Sequence, residues 1–255
     1  MKPLIFLLLI FLFAKTLLAG TIDPSIDDKK YIEYGEKFKY IYKICGTYES
    51  GELFCASSVV IDPHWVLTAA HVVKGARTTV VRDNNKAYLI EKIIYHEDFD
   101  KNNVGKNDIA LCYTQDKILI DYYPPLYEDT DEENKVCCMA GYGLTGNFNT
   151  GVTTGDSKRR AGSNIIQYID RDLLICDASK KGSKDHTSLE FLIASGDSGG
   201  GLFIDGKLAG INSCVLAKDK NPNSSYSDES GHTRVSLYSK WIKEKIKSFK
   251  DAKKE

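Results

Sequence analysis

The chain has no excess of either charge, with 34 lysines and arginines against 35 aspartates and glutamates in 255 residues. That balance excludes nucleic acid as a dedicated partner and leaves the lysines as a solvated surface. It also lacks an apolar run that could cross a bilayer. The run from Leu4 to Phe13 is ten residues long, where a spanning helix needs about twenty. Lys2 precedes that run, Lys15 ends it, and Leu17-Leu18-Ala19-Gly20 beyond it offers a small-residue cleavage site. Residues 1–20 are therefore expected to be a signal peptide, with a mature chain starting at Gly20 or Thr21. Thr21 stands where a lipid-modified cysteine would have to be, so no stable membrane anchor is expected. The expected location is outside the cell, or the periplasm if the source is a Gram-negative bacterium. None of the seven cysteines (Cys45, Cys55, Cys112, Cys137, Cys138, Cys176 and Cys214) has the spacing of a zinc site, and no metal or other cofactor is expected. Their odd number leaves at least one thiol free or joined to another chain. No internal repeat is visible, and the length suits one domain with a sizeable core.

What the chain does have is Ser195-Gly196-Asp197-Ser198-Gly199-Gly200-Gly201. Glycines on both sides of a serine permit a tight turn that leaves the hydroxyl clear, with backbone N–H groups converging beside it. Taken alone, the stretch could equally be a glycine-rich hairpin with an incidental serine. Two other stretches decide between these readings. Val66-Leu67-Thr68-Ala69-Ala70-His71 sets a histidine after an apolar, strand-like run, and Asn107-Asp108-Ile109-Ala110-Leu111 sets an aspartate at the mouth of another. Serine is a weak nucleophile without a base, and imidazole, titrating near neutrality, is the side chain suited to take its proton and return it.

With T-A-A-H, D-I-A-L and G-D-S-G-G in this order, spaced by 37 and 90 residues between His71, Asp108 and Ser198, the chain resembles the chymotrypsin-like (trypsin-like) serine peptidases over about residues 31 to 250. The resemblance implies an all-β fold of two antiparallel six-stranded β-barrels with the active site between them and a C-terminal α-helix. It implies a secreted serine endopeptidase that hydrolyses peptide bonds through an acyl-enzyme on Ser198. His71 would be the general base and acid, Asp108 would orient it, and the Gly196 and Ser198 amides would form the oxyanion hole. A catalytically inactive homologue acting as a binding protein is the alternative. The expected partners are polypeptide substrates and a protein inhibitor, with the enzyme itself a monomer. Gly210-Ile211-Asn212-Ser213 and Ser230 to Ser236 look most like simple secreted members from bacteria. An α/β-hydrolase would need its acid and histidine after the serine, and His232 is the sole histidine there.

By the same resemblance, the base of the primary specificity pocket falls at Leu192 and Ile193 and its wall at Ser213, Val215 and Gly231. No carboxylate stands at that base, unlike in trypsins proper, so small or medium aliphatic side chains before the scissile bond are expected. Val72, Ala194 and Ile204 occupy positions where relatives often carry cysteine, and Cys55 lacks its familiar partner. Cys45 and Cys55 flank a possible hairpin through Thr47 to Glu52, with connectivity open. The remaining histidines, His64, His96, His186 and His232, are read as surface or turn residues.

Residues 21–31 are polar and expected to be a leader outside the folded body. Asp23 to Lys30 resembles the acidic, lysine-ended propeptide of trypsin-type zymogens, whose removal frees an amino group for the aspartate before the nucleophile, here Asp197. A cut after Lys30 would expose Tyr31, one after Tyr31 would expose Ile32, and a plain leader into the first strand is the other reading. The peptidase domain is expected over 32–250: a first barrel over 32–120, an acidic surface linker with Pro124-Pro125 over 121–134, and a second barrel over 135–236. Apolar residues recurring every three or four positions predict a helix over 237–249 that packs on the second barrel.

Overall fold

The computed structural model describes residues 20–83, 85–217 and 219–253, so the expected signal segment lies outside the described residues except for Gly20. The chain enters as a short strand β1 (Thr21–Ile22) and a helix α1 (Asp28–Gly35). This corrects the expectation of a polar leader. The polar side chains that suggested solvent are spent on structure: Asp27 caps α1 by accepting from the Lys29 amide at 2.9 Å, and Asp28 pairs with the buried Arg160 at 2.6 Å. Asp23 pairs with His186 at 2.9 Å, and Tyr31 is fully buried beside Phe191.

The first half is a closed six-stranded antiparallel barrel. Its strands are β2 (Ile41–Tyr48), β3 (Leu53–Asp62), β4 (Trp65–Thr68), β5 (Ala76–Arg82), β6 (Ala87–Tyr95) and β7 (Ala110–Thr114), in the order β2-β3-β4-β7-β6-β5. β-Branched and aromatic residues at alternate positions fill it, with Ile41, Ile44, Val59, Val81 and Leu111 wholly buried. Cys45 and Cys55 face each other across the β2–β3 pair and form a disulfide. A four-residue helix α2 (Ala70–Val73) follows β4.

The second half contains β8 (Val136–Gly141), β9 (Thr145–Asn147), β10 (Gly151–Thr154), β11 (Arg160–Ile165), β12 (Tyr168–Asp170), β13 (Leu173–Asp177), β14 (Phe191–Leu192), β15 (Gly201–Ile204), β16 (Lys207–Ala217) and β17 (Asp228–Arg234). Where a second six-stranded barrel is expected, seven strands form a rolled antiparallel sheet, β11-β8-β15-β16-β17-β13-β12. Its ends approach each other: the Asn164 side chain on β11 donates to the carbonyls of Asp177 at the end of β13 (2.8 Å) and Phe191 (2.9 Å). A smaller sheet, β10-β9-β1-β14, holds the N-terminal strand, with β1 parallel to β9 and antiparallel to β14.

The last helix, α3 (Val235–Ala252), starts two residues earlier and ends three later than its apolar pattern. Its stripe packs on β16 of the second half, as expected, and also reaches across to the first barrel. Phe249 packs on Trp65 and Tyr113 (centroids 5.2 and 4.5 Å), and Trp241 donates to Glu97 at 2.9 Å. The reason is that β4 and β7 bring Trp65 and Tyr113 together, and Phe249 of the helix packs on both. The 121–134 segment is less of a free linker than its charge suggests, because Glu132 is fully buried in an ion pair with Arg234 (2.7 Å) and accepts from Ser236 at the start of α3.

Candidate active site

His71 is delivered by the turn from β4 into α2, and Asp108 by the residues just before β7, two strands that are paired in the barrel. One carboxylate holds the histidine twice. Asp108 Oδ2 lies 2.7 Å from His71 Nδ1, and Oδ1 accepts from the His71 backbone amide at 2.9 Å. This fixes both ring and backbone, and sets Nδ1 as the protonated nitrogen, leaving Nε2 to face the cleft. Asp108 is 2% exposed. Burial would push its carboxyl up, but hydrogen bonds from the His71 ring, the Ser213 hydroxyl (2.6 Å) and the His71 amide outweigh that and hold it below the usual carboxylate value. The preceding Asn107 has φ 51° and accepts from Tyr238 of α3 at 3.0 Å.

Ser198 sits on the turn before β15. Gly196 and Gly199 take φ of 92° and 81°, a region L-residues avoid. A Cβ at Gly199 would lie 2.0 Å from Thr68 Oγ1, so the turn is pressed against β4. Among the described residues no intramolecular partner takes the Gly196 or Ser198 amide, which leaves both N–H groups for an anion. His71, Ser195, Gly196 and Ser198 line one cleft, although no hydrogen bond joins the His71 ring to Ser198 in this structure. The rest of that cleft is lined by β5 and the β2–β3 hairpin, the latter with the Cys45–Cys55 disulfide, Leu53, and Tyr48 stacked on Phe54 at 4.6 Å.

The residues expected in the specificity pocket are placed differently from one another. Leu192 and Ile193 are buried, Leu192 in register with Thr21 and Ile193 donating to Ser230 Oγ at 3.0 Å. Val215 lies opposite Ser230 and Gly231 opposite Cys214 on the β16–β17 pair. A Cβ on Gly231 would meet Cys214 Sγ at 2.7 Å. Ser213 gives its hydroxyl to Asp108 and lines a second hollow with His71, Phe99, Val104 and Cys214. None of Leu192, Ile193, Val215 or Gly231 lines the cleft that holds Ser198. Asp228 is buried, with Oδ2 accepting from the Asn223 and Ser225 amides.

One residue beside Ser198 has no motif in the sequence. Ser57 of β3 spends every polar group there: its amide donates to Ser198 O (2.9 Å), its hydroxyl to Gly196 O (2.9 Å), its Oγ accepts from the Tyr142 amide (2.8 Å) and its carbonyl from Thr68 (2.9 Å). Asp197 is fully buried and accepts from the amides of Gly20, Gly143 and Ala194. His232 is not a surface residue: it is fully buried on β17, bonded through Nδ1 to Asn212 Oδ1 at 2.9 Å, with Nε2 unpartnered, and burial pushes its pKa down to about 3.

Similar known proteins point to one family. The family model described as Trypsin matches residues 37–242. A trypsin from the black fly Simulium vittatum is 31% identical over 178 residues, covering 62% of this chain and 68% of that protein. Trypsin-1 of Salmo salar is 24% identical over 257 residues, covering 91% of this chain and 97% of its own. These relatives are animal proteins and lend no support to a bacterial source. Among solved structures, HL collagenase superposes with a TM-score of 0.65 at 22% identity, over 82% of this chain and 94% of that one. Neuropsin, a serine protease of mouse brain, gives 0.64 at 19% identity, over 83% and 96%. The chain belongs to the trypsin family of serine peptidases.

Proposed function

We propose that the protein is a secreted serine endopeptidase with Ser198 as nucleophile. The observation that carries this is the double hold of Asp108 on His71, which leaves one ring nitrogen to act as base in a cleft shared with Ser198. His71 Nε2 takes the Ser198 Oγ proton as Oγ attacks the scissile carbonyl carbon. The oxyanion that forms is received by the Gly196 and Ser198 amides. As the acyl-enzyme forms, the same proton passes from Nε2 to the departing amine, and water then repeats the sequence to release the acid. Losing one such oxyanion donor typically costs about 3 kcal/mol of transition-state stabilisation. The Cys45–Cys55 disulfide accords with export to an oxidising compartment.

Leu192 and Ile193 lie outside the cleft beside Ser198, so the proposed preference for aliphatic side chains before the scissile bond rests on the absence of a carboxylate from the stretch Leu192-Ile193-Ala194-Ser195 that leads to the serine. A buried lysine or arginine head without a carboxylate partner would be penalised by several kcal/mol, while each buried CH₂ gains about 0.8 kcal/mol. Labelling with a fluorophosphonate probe, located by peptide mass, tests the nucleophile. The expected adduct is on Ser198, lost in Ser198→Ala and His71→Ala; an adduct elsewhere, or no adduct on the folded mature protein, removes the reading and leaves the inactive homologue.

A further inference from the structure

Cys137 on β8 and Cys176 on β13 are both buried, and their sulfurs lie 3.8 Å apart. The strands that carry them are second and sixth in the seven-stranded sheet, so no ladder joins the two directly. What brings them together is the roll of the sheet. Asn164, opposite Cys137 on β11, donates to the carbonyl of Asp177, the residue after Cys176. The Cys137 thiol in turn donates to the Asn164 carbonyl at 3.5 Å.

Alternation along β8 decides which of two adjacent cysteines meets Cys176, because neighbours on a strand point to opposite faces. Cys137 and Met139 enter the apolar cluster that also holds Leu174 and Cys176. Cys138 faces the other cluster, where its sulfur is 2.9 Å from the Tyr34 hydroxyl. Cys112 is buried in the first barrel, and Cys214 lines the hollow beside His71. Neither competes for Cys176.

We propose that Cys137 and Cys176 form a second disulfide, which pins the rolled sheet shut. Closing the gap from 3.8 Å to the bonding distance of about 2.05 Å takes a movement smaller than one bond's length. Burial and the neighbouring Cys176 push the Cys137 thiol up, so in the folded protein it stays protonated and unreactive. The exchange therefore belongs to folding, before the sheet has rolled. One cysteine, as thiolate, attacks a sulfur of a small-molecule or protein disulfide and displaces half of it; the other cysteine then attacks the mixed disulfide and displaces the second half. Two S–H bonds are lost and one S–S bond is made, and the oxidant takes up two electrons and two protons to become two thiols. The bond braces strands that lie behind the serine turn: β8 runs on to Gly143, whose amide goes to Asp197, and Cys176 is in register with Ser230, which accepts from the Ile193 amide.

This inference rests on the proposed function only for an oxidising destination, and the experiment supplies the oxidant itself, so the two fail separately. The full chain carrying Ser198→Ala, which prevents self-digestion, is refolded from the reduced state in a mixture of oxidised and reduced glutathione, alkylated, and mapped without reduction. Cys137 and Cys176 should appear in one linked peptide pair. Since no protease parts Cys137 from Cys138, the mapping is repeated on two variants: the link to Cys176 should survive Cys138→Ala and vanish in Cys137→Ala. With Cys45→Ala and Cys55→Ala also present, urea unfolding should show a folding equilibrium constant about a hundredfold higher for the oxidised pair than for the reduced one, as suits cysteines 39 positions apart. Free thiols at both positions in a chain that has formed the Cys45–Cys55 bond would overturn the assignment. So would loss of the link in Cys138→Ala, its persistence in Cys137→Ala, or equal stability with and without reductant. A linked pair in a chain that its host cells fail to secrete would uphold the disulfide and overturn the export reading alone.

Discussion

His232 offers a direct measure of how the second half of the molecule responds to acid. Its ring is fully buried, and its pKa is lowered to about 3 by burial alone. In the unfolded chain a histidine titrates near 6.5, so below that pH the unfolded state binds a proton that the folded state refuses. The folded pKa is depressed, so the stability is fully present above pH 6.5 and is lost as pH falls from 6.5 toward 3. The loss is about 1.4 kcal/mol per pH unit, or about 2 kcal/mol between pH 6.5 and 5. His232→Asn keeps a donor where Nδ1 meets Asn212 Oδ1 and removes the titration. In a Ser198→Ala background, which prevents self-digestion, urea unfolding at pH 8 should show the variant less stable by about 1 kcal/mol through lost packing. By pH 5 the order should reverse, since wild type alone has lost about 2 kcal/mol to this histidine. All other titrating groups cancel in the difference between the two proteins. A stability gap that is the same at pH 8 and pH 5 would refute the reasoning, because it would mean that His232 protonates in the folded protein as readily as in the unfolded chain.

Ser57→Ala removes the donor to Gly196 O and leaves the Tyr142 amide unpaired, a loss of about 1–3 kcal/mol; kcat should fall about tenfold with KM little changed, and a purely raised KM would argue that Ser57 does not position the turn. Ser213→Ala deletes a 2.6 Å bond to the Asp108 carboxylate, worth about 1.5–3 kcal/mol as a bond to a charged group; kcat/KM should drop by about ten- to a hundredfold, while an altered side-chain preference at unchanged kcat/KM would restore Ser213 to the pocket wall. Leu192→Ala should cost about 2–5 kcal/mol of stability as a buried large-to-small change. If Leu192 forms the pocket base, a peptide library should also show cleavage shifting toward bulkier residues, and an unchanged profile would place the pocket elsewhere.

The residues legible in the sequence are those whose local chain needs an unusual conformation or a single side-chain chemistry. Gly196 and Gly199 at positive φ announce the turn that carries Ser198, and a histidine and an aspartate at the ends of apolar strands announce their positions. The period of the last helix was readable for the same reason, being a local pattern. Its reach across to the first barrel was not, because Trp65, Tyr113 and Phe249 are brought together only when the barrel closes. The 21–31 segment misled for a related reason: Asp23, Asp27 and Asp28 look solvated until His186 and Arg160, more than a hundred residues away, or the α1 backbone supply their partners. Ser57 carries no sequence signal at all, since a serine in a strand, here followed by Ser58, says nothing of a turn about 140 residues later.

The site is held by contacts that cross the boundary between the two halves. Asp108 leaves the first barrel, but Ser213 of β16 bonds its carboxylate and Thr233 of β17 bonds its carbonyl at 3.0 Å. Tyr238 of α3 holds the neighbouring Asn107. The traffic in the other direction runs from Ser57 and Thr68 of the first barrel to Gly196, Ser198 and the glycine that follows them. Each half therefore completes the other's part of the proposed site: the second sheet orients Asp108 and, through it, His71, while the first barrel shapes the turn of Ser198. Neither half alone could present a base and a nucleophile in register, which is a physical reason for the cleft to lie where the two meet.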